Sequence, residues 1–340
     1  MVNETLARLS DLAFECAMAG YVVALVCYGI EFAGRRIQPT RDEAASAQLR
    51  AANRAGGTTV ITRPEGIGVV PPADKAPWGV RFGRSAVVVT VVALVANVIS
   101  IVCRGFAAGR LPLANMYEFT SMICAAATLC WLIVLARTGA RQLGLFVMLP
   151  VALLAFLAGT VLYTPAGPVV PALNSYWKWI HVTTISLSAS VLLVSGAASL
   201  MYIVRARYEK RLVSAQQADD TARIADLEGG ALAKLPSLAT LDRIAYRTAI
   251  IAFPVYTFAI IAGAMWAEVA WGRYWGWDPK ETVAFISWVI YACYLHARAT
   301  TGWRGVRAAW ISVFGFVAII FNLFFVNMVV SGLHSYAGLN

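Results

Sequence analysis

A chain of 340 residues with 59% hydrophobic and only 14% charged side chains is too apolar for a soluble globular protein of that length. Its formal charge of +10 sits mostly in loops between apolar runs, so it calls for no nucleic-acid partner. What remains is an all-α polytopic membrane protein, read as one integral membrane domain over residues 1–340.

Runs of about 20 apolar residues suffice to cross a hydrocarbon core. They occur at 10–33, 85–103, 117–136, 143–163, 180–204, 248–268, 281–297 and 308–331, which predicts eight transmembrane helices. The first run lacks a cleavable leader's positive N-terminal region, since Glu4, Asp11 and Glu15 precede or enter it. Of the 28 Lys and Arg residues, 22 fall in 34–84, 137–142, 205–247 and 298–307. Positive charge marks the cytoplasmic side, so both termini and the 266–282 stretch are expected on the outer face of a bacterial cytoplasmic membrane. The six cysteines form no C-x-x-C pair, which removes thioredoxin-like and zinc motifs.

In chain order, 34–84 is expected as a cytoplasmic loop rich in Ala, Gly, Pro and Arg, of a linker-like composition. In the outer turn RGFAAGRLPLANMYEFTS, Asn115 and Glu118 are spaced as N-cap and N3 of the next helix. The short RTGARQ turn makes spans three and four antiparallel neighbours. A proline-rich outer loop then leads through Tyr176, Trp177 and Trp179 to His181, just inside span five. A histidine there serves either as a solvated interfacial residue or as a ligand. Residues 205–247 read as a cytoplasmic helix extension followed by a loop.

The stretch WAEVAWGRYWGWDPKET, residues 266–282, carries four of the eleven tryptophans within twelve residues. A helical turn would put Trp271 and Trp275 on one face, with Gly272 and Gly276 leaving backbone open to a flat apolar partner. The competing reading is an interfacial aromatic belt. Asp278-Pro279-Lys280-Glu281 has the pattern of a capping box, so a helix starts at Pro279. Asp278 and Glu281 therefore either cap that helix or take part in chemistry. Further on, His296 lies ~26 Å along the same helix, near the inner face. It is either a buried ligand or a side chain reaching the headgroups. Gly332 is expected to break the last helix and place His334 outside, level with His181 and the tryptophans. Imidazole binds haem iron axially and aromatic rings pack on porphyrin, so His181 and His334 are paired as candidate ligands of one haem.

These residues carry a family resemblance. WGRYWGWDPKET resembles the WWD signature of the haem-handling proteins of cytochrome c maturation. The order of histidines, the PLANMYE segment and the C-terminal GLHSYAG are similar to those of CcsA/ResC-type (System II) cytochrome c biogenesis proteins. The resemblance implies transport and presentation of haem b and its covalent attachment to the C-x-x-C-H segment of apocytochrome c. It implies a holocytochrome c synthase (haem lyase) subunit acting with a Ccs1/ResB-type membrane subunit, and it allows a thiol-reducing partner. It also implies that His181 and His334 ligate an outer haem and His296 an inner one. The outer haem would lie against Trp271, Gly272, Tyr274, Trp275, Gly276, Trp277, Asp278 and Glu281. No residue has the setting of a nucleophile, and Asp278 is the candidate for a direct part in attachment. The alternatives are a System I-type haem-delivery WWD protein and a haem exporter without ligase activity.

Overall fold

A computed structural model describes residues 2–34, 78–168, 175–330 and 332–333, and the regular elements among them are all helical. His334 and most of the 34–84 loop lie outside the described residues. The long helices are α1 (Glu4–Gly34), α2 (Trp78–Ala108), α3 (Met116–Thr138), α4 (Gly144–Thr160), α5 (Tyr176–Gln217), α6 (Thr221–Gly229), α7 (Leu238–Trp271), α8 (Pro279–Ala299) and α9 (Val306–Phe321). Helix α2 begins inside the stretch expected to end as a loop at residue 84, and α5 runs on well past its apolar part, as expected for 205–217.

Seven helices, all but α6 and α8, are long and apolar enough to cross a membrane. Helix α8 occupies the place of the expected seventh span, but Trp288, Tyr291, Tyr294, His296 and Arg298 dilute its apolarity. It has one buried stripe, Ser287, Tyr291, Tyr294 and Ala297, at helical spacing.

Helices α1 and α2 show how the sequence dictates packing. Ser10, Phe14, Ala17, Tyr21, Ala24, Tyr28 and Glu31 are buried on α1, alternating three and four apart. Ala86, Thr90, Ala93, Asn97, Ser100 and Arg104 repeat the spacing on α2. That period sets two helices side by side in a shallow left-handed wrap. Small residues permit the close approach: a Cβ on Gly20 would stand 2.8 Å from that of Ala93. Buried polar groups then pair across helices, as when Asn97 Nδ2 donates to Tyr21 Oη (3.1 Å) and Ser121 Oγ donates to Asn97 Oδ1 (2.7 Å).

Helix α5 is the hub between two apolar cores. Its hydroxyls reach three neighbours: Ser190 donates to Ile123 O on α3, Ser195 to Ala245 O on α7 and Ser199 to Ser312 on α9. Gly196 lets Phe316 of α9 lie directly on the α5 backbone. One core joins α1–α5 with Leu241, Ile244 and Ala245 of α7, and the other joins α5 with α7, α8 and α9. Helix α9 gives way to a π turn at Asn322–Val326, so regular winding ends earlier than a break at Gly332 would place it. Such turns occur mostly where a helix serves a site.

Candidate functional site

The turns after α2 and α7 both line a cavity at one end of the bundle with about 1300 Å³ of empty space, counted to its open mouth. Its wall is mainly apolar, from Leu113, Phe119, Val182, Ile185, Ile260 and Ile319.

His181, on the second turn of α5, faces this cavity. Its Nδ1–H donates to Ala259 O on α7 at 2.7 Å. A carbonyl oxygen only accepts, so the proton sits on Nδ1 and Nε2 carries the lone pair. Gly263 makes this possible, because a Cβ there would stand 2.8 Å from His181 Cε1 and Nδ1. The ring is further fixed by stacking on Trp266, with centroids 6.1 Å apart and planes 22° apart. Locking one nitrogen to a carbonyl fixes the tautomer and orients the ring, which is how a protein prepares an imidazole for a metal.

The tryptophan stretch forms the opposite wall by a route that differs from the helical turn expected. Helix α7 stops at Trp271 because Gly272 turns left-handed, φ 69°. Trp275 is therefore in a loop, yet Trp271, Tyr274 and Trp275 all line the cavity, as does buried Trp266. Gly272, Gly276, Trp277 and Asp278 are not part of its lining. Trp277, at φ 55°, is turned outward and 65% exposed, edge-on to Trp275 and Phe285. A bulky residue in that backbone region is strained, and such strain concentrates at functional loops.

The capping box exists as expected. Asp278 Oδ2 accepts from Lys280 N (3.3 Å), and Glu281 Oε2 accepts from Asp278 N (3.1 Å) and Gly276 N (2.9 Å). Asp278 does more than cap, because its Oδ1 accepts from Leu333 N at 2.8 Å. The carboxylate thus ties the residue preceding His334 to the start of α8. Gly332 suits that approach, since a Cβ there would stand 2.6 Å from Oδ1. Lys280 Nζ donates to Asn327 Oδ1 (2.6 Å) and Asn322 Nδ2 to Lys280 O (3.2 Å), so the π turn is fastened to the same helix start.

A buried ion cluster supports the opposite rim. Asn115 caps α3, accepting from Glu118 N at 2.9 Å. The Glu118 carboxylate accepts from Ala114 N (2.7 Å), Arg104 Nε (2.9 Å) and Arg110 Nη1 (2.8 Å). Arg110 also holds Gly167 O (2.9 Å), and Arg104 holds Thr164 O, so the turns after α2 and α4 are bound together. A flat aromatic slot, a prepared imidazole and lysine side chains in an apolar wall suit a large planar molecule that carries a metal and carboxylates.

Comparison with known proteins agrees. The family described as "Cytochrome C assembly protein" matches residues 113–334. The chain belongs to that family. The cytochrome c biogenesis protein CcsA of Guillardia theta is 36% identical over 264 residues, covering 74% of this chain and 85% of the relative. CcsA of Prochlorococcus marinus (strain MIT 9303) is 35% identical over 283 residues, covering 76% and 87%. Among solved structures, a cytochrome c heme lyase CcmF superposes with a TM-score of 0.59 at 17% identity, over 94% of this chain. The assembly protein spans 46% of that longer chain, and the likeness shows a shared fold.

The other described histidine stands apart from the cavity. His296 is exposed on the outward side of α8, in its last turn, with Cys293 exposed one turn earlier. Beside that side is an open apolar groove lined by Val283, Ile286, Val289, Ile290 and Cys293 of α8 and by Ile311, Phe314 and Phe321 of α9. Helix α8 therefore turns Lys280, Glu281 and Ala284 to the cavity and a different stripe to the bundle's exterior. Lys178, Gly263, Asn322 and Asn327 belong to the cavity region and went unmarked in the sequence. Only Lys178, three residues before His181, carried a legible signal, as a lysine opening an otherwise apolar helix.

Proposed function

We propose that this cytochrome c assembly protein binds haem b in the cavity, with His181 Nε2 as one axial ligand, and presents it for attachment to apocytochrome c. The observation that carries the reading is the His181 ring, fixed by Ala259 O and Trp266 in the wall of an aromatic-lined cavity. The family match and the fold shared with a heme lyase support haem handling and attachment in cytochrome c biogenesis. His334 is the second ligand in this reading, delivered by the Leu333 segment that Asp278 holds.

Haem supplies the two vinyl groups, and each C-x-x-C-H thiol adds its sulfur and hydrogen across one vinyl double bond, so the reaction needs no oxidant. The chain's contribution is orientation. The His181 imidazole would hold the iron and the rings of Trp266, Trp271 and Trp275 would pack on the porphyrin, leaving the vinyl groups to be positioned for incoming thiols. Holding reacting groups in register supplies much of a barrier of this type. The capping and tethering bonds of Asp278 give it a positioning role in place of a direct one.

His296, in this reading, ligates a second haem whose other ligand comes from a Ccs1/ResB-type subunit seated on the α8/α9 face, with the cavity end on the outer side of a bacterial cytoplasmic membrane. The test is co-expression with that subunit and an apocytochrome. His181→Gly is expected to lower holocytochrome yield at least ~100-fold, a loss on the scale of several kcal/mol, with exogenous imidazole restoring part of it. A normal yield without imidazole overturns the reading.

A further inference from the structure

Lys178 has a setting that neither the fold nor the ligand pair explains. It is on the first turn of α5, 3% exposed, and its side chain lines the cavity. Its ammonium has no hydrogen-bond partner among the described residues, its company being the Trp179 ring at 4.1 Å. The nearest buried acid, Glu118, is already saturated by Arg104, Arg110 and Ala114 N. Lys280 also lines the cavity, but its ammonium is committed to Asn327. A buried cation without an anion is costly and is retained where a ligand brings the opposite charge. We propose that Lys178 receives a carboxylate of the porphyrin that His181 ligates, fixing which edge of the ring points into the protein.

The placement fits the ligand's shape. Lys178 and His181 are three residues apart on one helix face, about 4.5 Å along the axis. A flat ring centred on the imidazole has its rim one turn away, where the lysine lies. Haem bears its two carboxylates on one side and its vinyls elsewhere on the periphery. Anchoring a carboxylate inward at Lys178 turns the remaining periphery toward the mouth, where thiols arrive. The wall around His181 itself, Val182, Ile185 and Ile260, offers no competing cation. The inference rests on the haem reading above and adds the orientation of the ring to it.

The test compares haem with haem dimethyl ester, in which both carboxylates are capped, by titrating the purified full-length protein and following the haem absorbance. The wild type is expected to prefer haem by about tenfold or more, the scale of one charge-assisted hydrogen bond. Lys178→Met is expected to lose that preference while binding the ester as the wild type does, which also shows that it folds. Lys178→Arg should keep most of it. Equal wild-type affinity for haem and ester overturns the assignment, as it would if a lipid phosphate occupied the lysine, and so does a preference undiminished in Lys178→Met. His181→Gly separates the two claims, being expected to weaken haem and ester alike. If it weakens neither, the haem reading itself fails, whatever Lys178 does.

Discussion

The two described histidines, His181 on α5 and His296 on α8, occupy opposite kinds of surroundings. His181 faces inward, held by a backbone carbonyl and a stacked indole, in a cavity that the turns after α2 and α7 help to line. His296 faces outward from the last turn of α8, beside an apolar groove open to whatever surrounds the bundle. On the proposed reading, the contrast teaches that preorganisation of an imidazole, more than its identity, separates a site this chain builds by itself from one that needs another surface. The Ala259 carbonyl and the Trp266 ring orient the half-buried His181 imidazole. Among the described residues nothing covers the groove on the outer face of α8.

The largest expected effect falls on the architecture around His181. Gly263→Ala drives a methyl into the His181 ring at a distance that real contacts do not show, so haem occupancy of the cavity should fall by most of its wild-type value. Haem content per purified protein measures this. Wild-type content in Gly263→Ala would mean that the ring's position is unimportant and would erase the contrast with His296.

Next come the rings. Trp271→Ala removes a cavity-lining aromatic and should weaken haem by about 2 kcal/mol, roughly 30-fold in Kd. Trp277→Ala, at an exposed position off the cavity, should change Kd by under about threefold, as surface substitutions do. If the two variants weaken haem equally, the tryptophans act as one belt and the cavity wall has no special standing.

Asp278 sharpens the comparison further. Asp278→Ser keeps an N-cap for α8 but cannot also reach Leu333 N, so the thermal midpoint should stay within a few degrees while haem shifts away from a two-histidine spectrum. A spectrum unchanged in Asp278→Ser would return that residue to a capping role alone. His296→Ala carries the smallest expected effect, near zero on haem added directly to the isolated chain. Its loss should appear only in cells, with the partner subunit present, as lower haem reaching the cavity.

The fold was readable at the level of helices because apolar runs and caps are local properties. Pro279 opens α8 and Asn115 caps α3 where spacing places them. The tryptophan loop was misread in one respect, since Gly272 ends α7 in a left-handed turn and sends Trp277 outward while Trp275 still reaches the cavity. Gly263 and the pairing of Glu118 with Arg104 and Arg110 were silent, and the inward turn of Lys178 was only hinted at, because their meaning comes from helices far apart in sequence, α2, α3, α5 and α7. A lysine at a helix start looks the same whether it snorkels or turns inward.

The most direct measurement is the visible and electron paramagnetic spectrum of haem bound to the chain purified by itself, in wild type, His181→Gly and His296→Ala. The account predicts a low-spin haem in wild type and His296→Ala, lost in His181→Gly and recovered when imidazole is added. A low-spin spectrum that survives His181→Gly without imidazole, or that disappears in His296→Ala, would contradict it.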